Sequence, residues 1–216
     1  MKVIAFIDGF NLYYSLENID DFRKYKWLDF TKMFSHYLIN KEDTVEIHYF
    51  TTINYNEISA YKSNKSKYKE KYRRHMDLIN AQRSKDVKIH YGAFKDKDFL
   101  CESCGYLNTI RQEKQSDVNL ASFLIYFALN TEFERFIVLS ADTDLIPAFN
   151  LIKKHAENKR LDLLLPPGNK KSKLSEYCYK TYLLKTDVLN NSQFPNPVMI
   201  KDGSYIYCPK EWDHRS

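Results

Sequence analysis

Arg135–Ala148 reads RFIVLSADTDLIPA. An apolar run without period-two alternation is the pattern of a strand covered on both faces, as in a parallel sheet. Here the run stops at Ser140, and two aspartates, Asp142 and Asp144, follow before apolar residues resume at helical spacing over Asp142–Lys154. Two other stretches have the same form. Lys2–Asp8 (KVIAFID) ends in a carboxylate followed by Gly9, and Arg160–Leu165 (RLDLLL) ends at Pro166. Thr44–Thr52 and Val87–Phe94, rich in β-branched and aromatic residues, read as two more strands.

Helical patterns separate these strands. Asp29 can cap a helix over Phe30–Ile39, and a long helix is expected from about Asn56 to Arg83, with Tyr61, Tyr68, Tyr72, Met76 and Ile79 on one stripe. Ser116–Leu129 is a third helix, and a short one is expected near Ser172–Tyr179. Strand–helix alternation predicts an α/β chain with a mainly parallel sheet and helices on both faces. The stretch 95–115 breaks the rhythm: it is polar, carries Cys101 and Cys104, and reads as a hairpin or loop excursion. Beyond Asn190 the chain bears prolines and is expected to pack as an irregular extension.

With 216 residues, 44% of them hydrophobic, there is material for one sizeable core. The start has no basic-then-apolar leader, and no run reaches the roughly 18 apolar residues of a membrane span, so a soluble, cytoplasmic protein without a membrane partner is expected. Four cysteines in this length do not form the pattern of a secreted disulfide framework. A net charge of +5 favours an anionic partner mildly, and the 17 tyrosines and 14 phenylalanines allow base stacking without requiring it.

The carboxylates carry more information. Asp8 closes one strand with Asn11 three residues on, Asp117 opens a helix, and Asp142 and Asp144 follow another strand. In open α/β sheets the ligand crevice lies outside the carboxyl ends of the strands, where strand order reverses, so aspartates far apart in sequence can converge there. Each one singly is an ordinary helix cap or turn residue. Together they need a compensating charge, because several close carboxylates cannot all stay ionised alone. A hard cation such as Mg²⁺ or Mn²⁺ supplies it. No Ser–His or Cys–His pair stands at recognisable spacing.

Ile7–Tyr14 (IDGFNLYY), Glu113–Ala121 (EKQSDVNLA) and Val138–Ala148 (VLSADTDLIPA) resemble the three motifs of NYN-domain proteins, the LabA-like, PIN-like group of ribonucleases. The similarity extends to HYGAF before the excursion, LLLPPG near Leu163–Gly168, and SQFPNPV and CPKEW in the tail. It implies a three-layer, Rossmannoid, PIN-like fold over 1–189, with 190–216 as a C-terminal extension. It also implies a metal-dependent RNA nuclease with Asp8, Asp117, Asp142 and Asp144 as ligands and Asn11 as a polar neighbour. One departure is visible: where many relatives carry a further aspartate on the helix that starts near Asp117, this chain reads ASFLI with Phe123. A non-catalytic RNA-binding module on the same fold is the alternative. An aspartyl-phosphate phosphatase fits less well, because its aspartate pair belongs on the first strand, which here ends Asp8-Gly9-Phe10.

Two further signals are open. Cys101-Glu-Ser-Cys104-Gly105 supplies half of a structural zinc site, with Cys178, Cys208, a histidine or a second chain to complete it, against a free-thiol turn. Tyr61–Arg74 carries seven basic residues, and Lys170, Lys171 and Lys173 follow a strand-end loop; either set can meet RNA phosphates, and either can be a solvated face. A homo-oligomer is compatible with all of this.

Overall fold

The computed structural model describes residues 1–40, 42–53 and 66–213. Six strands form one all-parallel sheet: β1 (Lys2–Asp8), β2 (Thr44–Thr51), β3 (Lys88–Tyr91), β6 (Arg135–Leu139), β7 (Arg160–Leu165) and β8 (Lys180–Leu183). Their order is β3-β2-β1-β6-β7-β8. From β1 the chain builds outward on one side, then returns and builds outward on the other. Strand order therefore reverses between β1 and β6, which is where a crevice opens in such sheets.

Alternate residues of the central strands feed two cores, which makes the domain three-layered. Val3, Ala5 and Ile7 of β1 join Ile137 and Leu139 of β6 under α1 (Gly9–Glu17), α2 (Phe30–Ser35), α3 (Ser66–Arg83) and α6 (Thr186–Asn191). Ile4 and Phe6 join Phe136 and Val138 under α4 (Ser116–Asn130) and α5 (Ile146–His155). The α/β, mainly parallel arrangement expected from the strand runs is the one observed. A third cluster, Trp27, Leu78, Ala81, Phe194, Val198, Cys208 and Trp212, holds the C-terminal segment against α3. That segment is more regular than expected, for it pairs Val198–Met199 (β9) with Tyr205–Ile206 (β10). No described helix is long and apolar enough to cross a membrane.

Several boundaries differ from the expectation. The helix expected over Phe30–Ile39 ends at Ser35, where the amides of His36, Tyr37 and Leu38 tighten onto the carbonyls of Met33, Phe34 and Ser35 in 3-10 fashion; the Tyr37 carbonyl then accepts Arg135 Nη1 at 2.6 Å. The helix expected from Asn56 is described from Ser66, and the part with Tyr61 lies outside the described residues; Met76 and Ile79 do face the core. The strand expected over Val87–Phe94 breaks at Gly92. Ala93–Leu100 (β4) then pairs antiparallel with Leu107–Lys114 (β5) in a separate two-stranded ribbon, so the 95–115 excursion is a hairpin with Cys101 and Cys104 at its tip. Gly92 sits where a Cβ would come within 2.5 Å of Thr52 Oγ1 and 2.8 Å of Glu113 Oε1, so only glycine lets β3 turn into the ribbon.

Candidate functional site

Asp8 is the last residue of β1 and the N-cap of α1. Its Oδ1 accepts the Asn11 amide at 2.9 Å, while its Oδ2 accepts Asn11 Nδ2 at 2.9 Å and the Ser140 hydroxyl at 2.8 Å. The Ser140 oxygen in turn accepts the Asp142 amide at 3.0 Å. Asn11 Oδ1 completes the lacing by accepting the Ala141 amide at 3.2 Å. The ends of β1 and β6 are thereby fixed to each other at the switch point. Gly9 permits this closeness, since a Cβ there would lie 2.4 Å from the Phe50 carbonyl oxygen.

Asp142 caps the 3-10 turn Thr143–Leu145 that leads into α5, its Oδ1 accepting the Asp144 amide at 2.9 Å. Asp117 stands in the first turn of α4 and is not its cap; that place belongs to Gln115, in a left-handed conformation with φ of 79°. Carboxylate oxygens of Asp8, Asp117 and Asp142 all lie within 4.8 Å of one another. Among the described residues no other group of three His, Cys, Asp or Glu side chains gathers at that spacing. Two oxygens on opposite sides of a cation held at about 2.1–2.4 Å are roughly 4–5 Å apart, so the donor set fits Mg²⁺ or Mn²⁺ with waters filling the remaining positions.

The electrostatics agree with that fit. Burial, followed by repulsion from Asp8, Asp142, Glu113 and Asp144, pushes the Asp117 carboxyl up to about 6. Burial also raises Asp8 above the usual carboxylate range, against the hydrogen bonds from Asn11 and Ser140 that favour its charge. A raised folded-state pKa means that, without a cation, the cluster's contribution to stability is lost as pH rises from about 4 through about 6. A bound cation reverses that penalty, and its affinity weakens as Asp117 takes up a proton below about pH 6.

Asp8, Asp117 and Asp142 converge, with Asn11 bridging the strands. Asp144 stays outside the trio, exposed, though near enough to repel Asp117. Lys170, Lys171 and Lys173 are exposed on the loop after β7, and Ser172 between them donates to the Ala141 carbonyl at 3.4 Å, which keeps that loop beside the aspartates. Phe123 packs its ring on His90 at 4.3 Å and Phe50 at 5.8 Å, and the three carboxylates converge with phenylalanine at that position. Cys101 and Cys104 belong to the hairpin tip.

Two residues escape a reading of the sequence. Ser140 couples Asp8 to Asp142; its one signal is a hydroxyl two positions before Asp142. Glu113, from β5, accepts Thr52 Oγ1 at 3.1 Å and the Ser116 amide at 3.1 Å, adding an acid at the rim. Beside Gly9 a cavity of about 470 Å³ opens. Its walls include Phe10, Tyr13 and Trp212, with Lys26, Lys71 and Arg74. Glu17 and Glu211 line it too, paired with Lys26 and Arg74.

The family model of the NYN domain matches residues 2–185. A curated relative from Pseudomonas putida, 6-hydroxy-3-succinoylpyridine 3-monooxygenase, is 22% identical over 246 residues, covering 98% of this chain and 75% of its own. A solved structure of a protein of unknown function from Vibrio parahaemolyticus matches with a TM-score of 0.54 and 16% identity, over 86% of this chain and 94% of that one; this is a likeness of fold. The parallel sheet, the acidic cluster at its switch point and a family match over most of the length lead to one assignment: the chain belongs to the NYN domain family, on a PIN-like α/β fold.

Proposed function

We propose that this protein is a divalent-metal-dependent ribonuclease, hydrolysing RNA phosphodiester bonds at the Asp8–Asp117–Asp142 cluster. The observation that carries the reading is the convergence of three carboxylates within 4.8 Å from three separate elements, at the reversal of strand order. Mg²⁺ or Mn²⁺ bound there supplies Lewis-acid polarisation of a phosphate oxygen and acidification of the attacking water. The protein's own groups do the rest. Asn11 and Ser140 hold Asp8 in one orientation and leave its negative charge facing the cluster. Asp144 and Glu113, whose charges reach Asp117, are the groups that would steer a water or accept its proton, and Lys170, Lys171 and Lys173 would meet the phosphates of the strand. The exposed ring of Tyr14, with Phe10 beside it in the adjoining cavity, offers a face for bases next to the scissile bond.

The cavity also favours a second reading. Its aromatic walls suit a small aromatic ring, such as the pyridine in the name of the Pseudomonas relative, and oxygenation of such a compound is the rival activity. One set of assays separates the readings. End-labelled single-stranded and hairpin RNAs incubated with Mg²⁺ or Mn²⁺ should be cut, cleavage should stop with EDTA, and excess cation should restore it. RNA that is bound but left whole under every cation would mean a binding module. Inert RNA together with dioxygen uptake that requires both an aromatic acid and an added two-electron reductant such as a reduced nicotinamide would move the assignment to the oxygenase.

A further inference from the structure

The hairpin tip carries a feature that the acidic cluster does not use. Cys101 and Cys104 lie on one tight turn, closed by the Cys101 amide donating to the Tyr106 carbonyl at 2.9 Å and the Gly105 amide to the Cys101 carbonyl at 2.8 Å. Gly105 follows at φ +68°, a left-handed conformation that a β-carbon disfavours, with open space around it. The turn holds Cys101 and Cys104 at the C-x-x-C spacing that supplies two ligands of a structural zinc site. A tight turn with two cysteines at this spacing suits a soft cation.

A structural zinc site takes four ligands in a tetrahedron. Among the described residues no third donor joins these two sulfurs. Cys178 gives its thiol to the Leu174 carbonyl at 3.2 Å, and burial pushes it up to about 12. Cys208 is buried beside Trp27 and Phe194 in the third core cluster. The described residues supply only this half, and the tip shows what kind of partner fits the rest. Leu100 and Leu107 face each other across the ribbon. They are 65% and 58% exposed, and Tyr106 beside them is 69% exposed, which is apolar surface gathered around the two thiols. A two-stranded ribbon alone is marginal in water, and this one belongs to neither face of the main sheet. A two-fold axis through the tip would bring the same two cysteines and the same leucines against themselves, which is the self-complementary contact of symmetric dimers.

We propose that Cys101 and Cys104 form half of a tetrahedral zinc site, completed by Cys101 and Cys104 of a second copy of the chain, with Leu100, Tyr106 and Leu107 packed around it. The site joins two copies through their hairpins, and stands whether or not the aspartates cut RNA.

Cobalt is the probe, because thiolate-to-cobalt charge-transfer absorption reports sulfur ligation and ignores cations on carboxylates. Full-length protein, reduced and stripped of metal, should develop that band together with the intense visible bands of tetrahedral cobalt. Both should saturate at about half an equivalent per chain, and zinc should displace them. Sedimentation should show monomers becoming dimers over the same titration, with a chelator reversing the change. Cys101→Ser and Cys104→Ser, both at an open tip, should lose the band and the dimer while keeping the wild-type circular dichroism; Cys178→Ser should behave as wild type. Saturation at one equivalent in a monomer, absence of the charge-transfer band in reduced protein, or a dimer that persists in Cys101→Ser would each overturn the shared site.

Discussion

Asp142→Asn leaves the protein folded and brings metal-dependent RNA cleavage down by at least about 100-fold. The substitution keeps the size of the side chain, and an amide oxygen can still cap the turn that Asp142 Oδ1 caps through the Asp144 amide. It removes one of three charges that meet within 4.8 Å. Loss of a group merely hydrogen-bonded to a metal ligand costs about 10–100-fold in affinity or activity, so loss of a ligand's charge should cost at least the upper end of that range. Cleavage of a labelled RNA under single-turnover conditions measures it. RNA binding should hold or tighten, because phosphates then face less negative charge. Reversing Lys170, Lys171 and Lys173 to Glu should do the opposite, weakening binding and flattening its salt dependence by about one slope unit for each phosphate left without its lysine. An Asp142→Asn protein that cuts at the wild-type rate would remove Asp142 from the chemistry.

The largest stability effect is expected at the other end of the sheet. Arg135 opens β6 and Asp162 lies in β7, and both are fully buried. Arg135 Nε donates to Asp162 Oδ2 at 2.7 Å, Nη1 to the Tyr37 carbonyl at 2.6 Å, and Nη2 to the Tyr182 hydroxyl at 3.2 Å. Arg160 Nε adds a second cation on Asp162 at 3.0 Å. Removing one partner strands a buried charge, which costs about 3–5 kcal/mol, whereas replacing both by apolar groups is often close to neutral. Asp162→Ala should therefore lower unfolding stability by about 3–5 kcal/mol in a urea titration, and the Arg135→Met, Asp162→Leu double variant should recover most of it. The protein that remains folded should keep its activity, because the pair sits away from the carboxyl ends where Asp8 and Asp142 meet. A loss under about 1 kcal/mol for Asp162→Ala would show that the pair is dispensable.

The parts of the fold that can be read from sequence are those buried on both faces. Lys2–Asp8, Arg135–Leu139 and Arg160–Leu165 announce themselves because a parallel strand between two helical layers has no polar side to show. β8, Lys180–Leu183, is not legible, since a short, half-exposed edge strand carries neither alternation nor an apolar run. The helix after β6 begins as a 3-10 turn, with Pro147 near the start of α5. For the site, spacing leads to the aspartates, and capping and clustering coexist: Asp8 and Asp142 each cap a helical turn and also meet Asp117. Ser140 and its partner Asp8 are separated by 132 positions, and a hydroxyl recruited across that distance leaves no local pattern. The same holds for Glu113, which reaches the rim only because Gly92 lets the ribbon fold back over Thr52.

The central claim is that three carboxylates hold a catalytic cation where β1 and β6 end. Crystals soaked in Mn²⁺ and measured at a wavelength where manganese scatters anomalously test it most directly. The account predicts an anomalous peak about 2.0–2.6 Å from oxygens of Asp8, Asp117 and Asp142, present at neutral pH and absent in crystals of Asp142→Asn. A saturating soak with no peak among these three side chains, in crystals of protein that cuts RNA, would contradict it.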